Sequence, residues 1–357
     1  MSPIRPREAV ARMRPYRPPL EGRRSFLRLD FNENTRGAPP AVAAALSALG
    51  GESGVSVYPE YGELRQRLAR RWQLAVDQLL PTNASDDGIR VVLDTFLDAD
   101  EEIVIPVPTF AMFRFYAEIR GAAITEVLYN ETDLSFPEER VLAALERRPR
   151  VLVLVSPNNP TGTEISPAAL IRILDAAGDH TLVLLDEAYW HFAGRTALPM
   201  VEERDNLVVL HSFSKAMGQA GLRFGYLAAS SELMQYISRA ASPYGVNSAA
   251  VACALATLDS DDWPLRYAAE VREARVEAEL ALERLGIEYF PGQANFVLAR
   301  LGDRAAAVCS GLEQQGILVR DRSGDPLLDG CVRLGVGTRE ETSRMLSALE
   351  QVLGEVR

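Results

Sequence analysis

Five consecutive residues, Val151–Val155, carry no polar side chain, and the apolar run Leu182–Leu185 repeats the pattern. A strand with one wet face alternates apolar and polar residues, so unbroken apolar runs of strand length predict strands buried on both faces. Around them, strand-like segments at Glu102–Ile105, Ala123–Leu128, Thr181–Asp186 and Asn206–His211 alternate with helical patterns at Gly88–Leu97, Thr109–Arg120, Pro137–Glu146 and Pro167–Ala177. This alternation predicts an α/β three-layer sandwich with a mainly parallel central sheet. In such sheets, ligands bind beyond the carboxyl ends of the strands. The residues after Val155, Leu185 and Leu210 are therefore the ones to read for chemistry.

The C-terminal third has a different rhythm. A long charged helix (Pro264–Leu285) precedes short strands at Ile287–Phe290 and Phe296–Leu301, a helix at Ala305–Gln315, strands at Ile317–Arg320 and Val332–Leu334, and a last helix from Arg339. The pattern predicts a large unit over 41–255. A smaller α+β unit would combine residues 256–357 with the Pro-rich arm 1–40.

Composition excludes several functions. A formal charge of −11 over 357 residues argues against nucleic acid as a partner, since phosphate backbones need clustered cations. Residues 1–28 are rich in Arg and Pro and contain no apolar core for secretion or membrane spanning. Cys253, Cys309 and Cys331 are far apart and odd in number, which fits reduced thiols in a cytoplasmic protein. His180, His191 and His211 are equally scattered, so no metal site is expected.

Each strand end carries a weak signal. Ser156-Pro157-Asn158-Asn159-Pro160-Thr161-Gly162 would serve as a plain tight turn. In Asp186-Glu187-Ala188-Tyr189, the aspartate fits a cap, or a buried anion that keeps a pyridine nitrogen protonated. Ser212-Phe213-Ser214-Lys215 follows the third strand, with Arg223 eight residues on. A loop lysine is normally solvated. One that forms a Schiff base must be neutral, far below its ordinary pKa of roughly 10.4. Asn83-Ala84-Ser85-Asp86-Asp87-Gly88 would cap the next helix or cradle an anion on its amides. Together they would place a phosphate at Ser85, Ser212, Ser214 and Arg223, a ring nitrogen at Asp186, a phenolic oxygen at Asn159 and Tyr189, and an aldehyde at Lys215. That is the outline of pyridoxal 5′-phosphate (PLP).

At this point the chain resembles the fold-type-I PLP enzymes and, within them, the histidinol-phosphate aminotransferases. The resemblance runs from Asp30-Phe31-Asn32-Glu33-Asn34 through Tyr58-Pro59, Ser85-Asp86, Pro108-Thr109-Phe110, Asn158-Asn159-Pro160-Thr161-Gly162, Asp186-Glu187-Ala188-Tyr189, Ser214-Lys215 and Gly221-Leu222-Arg223 to Val332-Arg333-Leu334-Gly335. It implies that Lys215 carries the cofactor and moves the proton, with Asp186 and Tyr189 as its catalytic companions. Asn159 would join Tyr189 at the phenolic oxygen and Phe110 would stack on the ring. Ala84, Ser85, Asp86, Ser212, Ser214 and Arg223 would surround the phosphate, with Tyr58 reaching it from the other subunit of a homodimer. Arg333 would clamp a carboxylate, and Arg320, Tyr16 and Asn32 would complete the substrate site. The implied reaction is histidinol phosphate plus 2-oxoglutarate to imidazole acetol phosphate plus glutamate, a step of histidine biosynthesis. An aromatic or broad-specificity aminotransferase and a decarboxylase of a phosphorylated amino acid are the alternatives on this scaffold. The chain departs from the family pattern at Phe110 (often Tyr), Ala84 (usually Gly), Trp190 and His191.

Overall fold

A computed structural model of the chain describes residues 4–15, 19–51, 54–260 and 262–355. Its strands in chain order are β1 (Leu27–Arg28), β2 (Leu79–Thr82), β3 (Glu102–Val107), β4 (Ala123–Leu128), β5 (Val151–Val155), β6 (Leu182–Asp186), β7 (Leu207–Ser212), β8 (Gly225–Ala229), β9 (Glu288–Phe290), β10 (Phe296–Arg300), β11 (Ile317–Leu318), β12 (Arg320–Asp321) and β13 (Cys331–Gly335).

Seven strands form the central sheet in the order β2-β8-β7-β6-β5-β3-β4. All pair in parallel except β8, which is antiparallel to both β7 and β2. The expected mainly parallel sheet is therefore present. β5, β6, β7 and β8 are buried along their whole length. Separate apolar clusters lie on the two faces of the sheet: Leu152, Leu154 and Val183 point into one, Val153, Val155 and Leu184 into the other. A strand with both faces covered has no position for a polar residue, and this explains the unbroken apolar runs.

A four-stranded antiparallel sheet, β12-β13-β10-β9, packs with the helices Asp262–Arg284 and Arg339–Glu355 around a third apolar cluster. β1 pairs in parallel with β11, and Leu29 belongs to that cluster, so the N-terminal arm lies against the C-terminal third.

Several expectations need correction. The segment Ile317–Arg320 is two strands rather than one: β11 joins β1, whereas β12 joins β13. The helix expected from Gly88 starts at Ala84, so the small polar residues form its first turn instead of a preceding loop. The helix expected from Thr109 starts at Met112. Tyr16 lies outside the described residues. Among the described residues, no helix is long and apolar enough to cross a membrane.

Candidate active site

The carboxyl ends of β5, β6 and β7 bring the motif residues to one edge of the sheet. Asp186 is the last residue of β6 and is 3 % exposed. Its Oδ1 accepts from the Ala188 backbone N–H at 2.8 Å. Burial pushes its carboxyl up to about 7, and the nearby charges of Asp86 and Glu187 push the same way against Lys215. A buried carboxylate held by one backbone amide is under-compensated, and a cation at its free oxygen would bring its pKa back down.

Lys215 stands three residues beyond the end of β7. Its Nζ donates to the Phe31 carbonyl at 2.9 Å and lies 5.5 Å from the Tyr189 ring centre. The loop holding it packs tightly on the arm. Asn34 Nδ2 donates to the Ala216 carbonyl at 2.8 Å. Gly218 (φ 72°) approaches so closely that a Cβ there would meet the Gly37 carbonyl oxygen at 2.5 Å.

The candidate phosphate cradle is built by the first turn of the helix Ala84–Phe96 and the β7–β8 connection. That helix has no side-chain cap at Asn83, and its first amides are the kind of donor that favours an anion. Ser85, Ser212 and Ser214 are buried around it. The Ser214 amide donates to Ser212 Oγ at 3.1 Å. Arg223 is held between Asp86 at 2.7 Å and the Ala220 carbonyl at 3.1 Å, with Ser214 Oγ at 3.5 Å. Gly225 makes this cradle possible, because a Cβ there would meet Ala84 C, Ser85 N and the His211 carbonyl, each at 2.8 Å. A buried acid for a ring nitrogen, an amine beside it and an amide-and-hydroxyl cradle together match the donor set PLP requires.

The candidate substrate side comes from other segments. Arg333 in β13 is 4 % exposed, and its Nη1 donates to Asn159 Oδ1 while its Nη2 donates to the Asp30 carbonyl. Its pKa falls to about 10, chiefly through burial, with the charges of Arg322 and Arg320 acting the same way against Tyr189 and Asp30. Arg320 pairs with Arg333 in register across β12 and β13 and lies 5.8 Å from the Phe31 ring. Arg322 forms an ion pair with Asp325. Asn32 Nδ2 donates to the Tyr189 hydroxyl at 2.9 Å. Phe110 lies three residues beyond the end of β3, edge-on to Phe113 at 6.2 Å. Tyr58, by contrast, is 72 % exposed and touches Tyr244, ring centres 4.4 Å apart.

Sequence reasoning missed three contributions. Asn158 ties two loops together: its Nδ2 donates to the Pro108 carbonyl and to Thr161 Oγ1, and its Oδ1 accepts from Thr109. Arg23 forms a two-point ion pair with Asp30 at 2.6 and 2.8 Å and covers the Phe31 face at 4.0 Å. The third was legible and went unused: Lys215 is the single lysine in a chain with 38 basic residues. Arginine cannot lose its proton near neutrality, so a chain that uses it everywhere else needs lysine only where a neutral amine is required.

Comparison with known proteins gives the family. The family model for aminotransferases of class I and II matches residues 24–349. A histidinol-phosphate aminotransferase of Symbiobacterium thermophilum is 38 % identical over 98 % of this chain and 99 % of its own length. That of Caldanaerobacter subterraneus subsp. tengcongensis is 34 % identical over 91 % and 93 %. Among solved structures, histidinol-phosphate aminotransferase from Sinorhizobium meliloti, in complex with pyridoxal 5′-phosphate, shares the fold with a TM-score of 0.89 at 24 % identity, covering 99 % of this chain and 98 % of that one. The chain therefore belongs to the class I and II aminotransferases and, within them, to the histidinol-phosphate aminotransferase family.

Proposed function

We propose that this enzyme transfers the amino group of histidinol phosphate to 2-oxoglutarate, yielding imidazole acetol phosphate and glutamate, with pyridoxal 5′-phosphate as its cofactor. The names of relatives matched over nearly their whole length support histidinol phosphate as the amino donor. The observation that carries it is the crowding of Arg320, Arg322 and Arg333, of which Arg333 is buried and held below its ordinary pKa, by burial first and then by the other two. Three cations are gathered at one edge at a cost that a doubly charged phosphate, or a dicarboxylate in the second half-reaction, would offset.

When bound, PLP supplies the aldehyde that exchanges with the substrate amine and the ring that draws electrons from the carbon losing its proton. The rest falls to this chain. Asp186 holds a proton on the ring nitrogen, and Tyr189 and the free amide donor of Asn159 steady the phenolic oxygen. The cradle at Ala84, Ser85, Asp86, Ser212, Ser214 and Arg223 orients the phosphate, and Phe110 covers the ring. Lys215 would take the proton from the donor's α-carbon and deliver it to the C4′ carbon of the cofactor, which requires a neutral amine. Arg333 binds the carboxylate of glutamate or 2-oxoglutarate, and Arg320 the phosphate of histidinol phosphate, with Asn32 and Tyr16 beside them.

A second copy of the chain completes the site in this reading. Val55, Val57, Tyr58 and Tyr244 form an exposed apolar patch, which fits a homodimer in which Tyr58 reaches the partner's phosphate cradle. Residues 41–255 act as the cofactor-binding unit; 1–40 and 256–357 form the smaller one that brings Arg320 and Arg333 to it. The cysteines of the described residues are unpaired, in keeping with action in the cytoplasm. The test is the ratio of kcat/KM for histidinol phosphate over phenylalanine, with product analysis. A ratio favouring phenylalanine, or CO₂ release without an oxo product, overturns the proposal.

A further inference from the structure

Directly behind Asp186 and Ser212, on the side away from the cradle, lies a chain of buried polar groups that the proposed chemistry does not use. Glu187 follows Asp186, and His211 precedes Ser212. His211 Nε2 is 2.9 Å from Glu187 Oε2, and His211 Nδ1 is 2.7 Å from the Tyr226 hydroxyl. Trp72 Nε1 donates to that hydroxyl at 2.7 Å. Glu187 also accepts from the Ala197 amide at 2.8 Å and from the Thr196 hydroxyl. Glu187, His211 and Tyr226 are each at most 4 % exposed. Trp190 stacks on the His211 ring at 5.2 Å and 16°, and Trp72 meets it edge-on at 5.4 Å.

With a neutral imidazole, the donor and acceptor types fix the direction of these bonds. An indole N–H only donates and a carboxylate only accepts. Because the Glu187 carboxylate only accepts, His211 Nε2 carries a proton and donates it there, with the Thr196 hydroxyl also 3.1 Å from that nitrogen. In the neutral imidazole Nδ1 is then an acceptor and takes the Tyr226 proton, while the Tyr226 oxygen accepts from Trp72. One neutral tautomer satisfies all of them, and a second proton on His211 would take from the Tyr226 hydroxyl the acceptor of its own proton. Burial likewise holds the imidazole below its ordinary range, against the opposing pull of Glu187. A fully satisfied buried network fixes one geometry, and a partly satisfied one does not.

What it fixes is the floor of the cofactor site. Trp72 stands at the end of the helix Gly62–Trp72, Glu187 just beyond β6, His211 in β7 and Tyr226 opposite it in β8. The backbone reinforces the same joint, because the Glu187 amide donates to the Leu210 carbonyl at 3.0 Å. We propose that Glu187, His211 and Tyr226 are positioning residues for the cofactor, a one-directional hydrogen-bond relay that locks the ends of β6, β7 and β8 and thereby aims Asp186 and Ser212. This rests on the reading that Asp186 and Ser212 contact the ring nitrogen and the phosphate of PLP.

The test uses the full-length enzyme stripped of cofactor and titrated with PLP, with melting temperatures of the free and loaded forms. His211→Phe keeps the stacking on Trp190 and removes both nitrogens. Tyr226→Phe removes a single oxygen. The expected result is PLP binding weaker by about ten-fold or more for His211→Phe and several-fold for Tyr226→Phe. The double variant should be little worse than His211→Phe alone, because one relay is broken either way. The melting-temperature gain on adding PLP should shrink in step. A PLP affinity within about two-fold of wild type in both variants, with free and loaded forms destabilised equally, overturns the proposal by reducing the relay to ordinary core structure. Should His211→Phe fail to fold, Tyr226→Phe decides alone. Asp186→Asn and Ser212→Ala separate the two readings: if they leave PLP affinity unchanged, the cofactor assignment is what fails.

Discussion

The sheet edge and the arginine edge of the site are built in opposite ways. At the sheet edge, Asp186, Ser212 and Lys215 hang from the ends of two adjacent, fully buried parallel strands. At the arginine edge, Arg333 is held by Asn159 and by the Asp30 carbonyl, which stand 174 and 303 residues away in sequence. The first is rigid because the core behind it is close-packed. The second is an assembly of three segments, held by hydrogen bonds through the strap Asp30–Asn34. A cofactor that stays bound through the cycle would benefit from the first arrangement. The proposed substrates, one phosphorylated and one dicarboxylic, enter and depart, and the second arrangement would serve them better.

The sharpest break in this comparison comes from Lys215. Replacing it with Ala should lower turnover at least about a thousand-fold, the scale of a lost proton-transfer group plus a lost covalent attachment. PLP should still bind noncovalently, since the cradle is untouched. Because Lys215 is the sole lysine, borohydride reduction of the loaded wild-type enzyme should fix one PLP at that residue, as read by peptide mass. Near-normal turnover in the variant, or adducts elsewhere, would refute the assignment.

Asp186 tests the rigidity of the sheet edge through pH. Burial raises its carboxyl from the ordinary value of 3.8 to about 7. With the folded pKa raised, its contribution to stability is fully present below the ordinary carboxylate pKa and is lost as pH rises through about 7. The cofactor-free wild type should therefore lose stability relative to Asp186→Asn between pH 4 and 8, by on the order of 4 kcal/mol. PLP should reverse the trend, because a ring cation favours the ionised carboxylate. Parallel denaturation profiles for the two proteins would show that the carboxylate is not strained.

These two edges were unequally legible in the sequence. Val151–Val155 and Leu182–Leu185 announce buried parallel strands, and the polar residues right after them had to face a ligand or a turn. β2 and β8 gave no such signal. β2 is an edge strand containing Pro81, tolerated there because an edge residue need not donate. β8 is the short, small-residue run Gly225–Ala229. The helix start at Ala84 was hidden because Asn, Ser, Asp and Gly favour turns on their own. Arg320 and Arg333 were reached by family resemblance. Their meeting depends on long-range pairing of β12 with β13 and on the strap, which no local pattern encodes.

Arg320 sharpens the arginine edge. Its removal to Ala should raise KM for histidinol phosphate about 10- to 100-fold, the worth of a charge-assisted pair, while phenylalanine turnover changes little. Arg320→Lys should recover only part of the loss, because lysine lacks the planar fork. Steady-state kinetics with both donors read the split. Equal losses for both would make Arg320 structural and reduce the phosphate reading to Arg322.

Tyr58 belongs to neither edge within one chain, and it should give the smallest effect. Its ring is exposed and rests on Tyr244, 4.4 Å between centres, in the apolar patch assigned to the dimer. Tyr58→Phe keeps that contact and removes one neutral hydroxyl, so PLP affinity should fall only about three- to ten-fold. The dimer, followed by sedimentation, should persist. Mixing decides which subunit the hydroxyl serves. In hybrids of Lys215→Ala and Tyr58→Phe subunits, each intact lysine lies in a Tyr58→Phe chain whose partner still carries the hydroxyl. Affinity at that lysine should therefore match wild type if Tyr58 acts across the interface. If it stays weakened, the hydroxyl acts within its own chain, and the sheet edge is self-sufficient in a way the dimer reading denies.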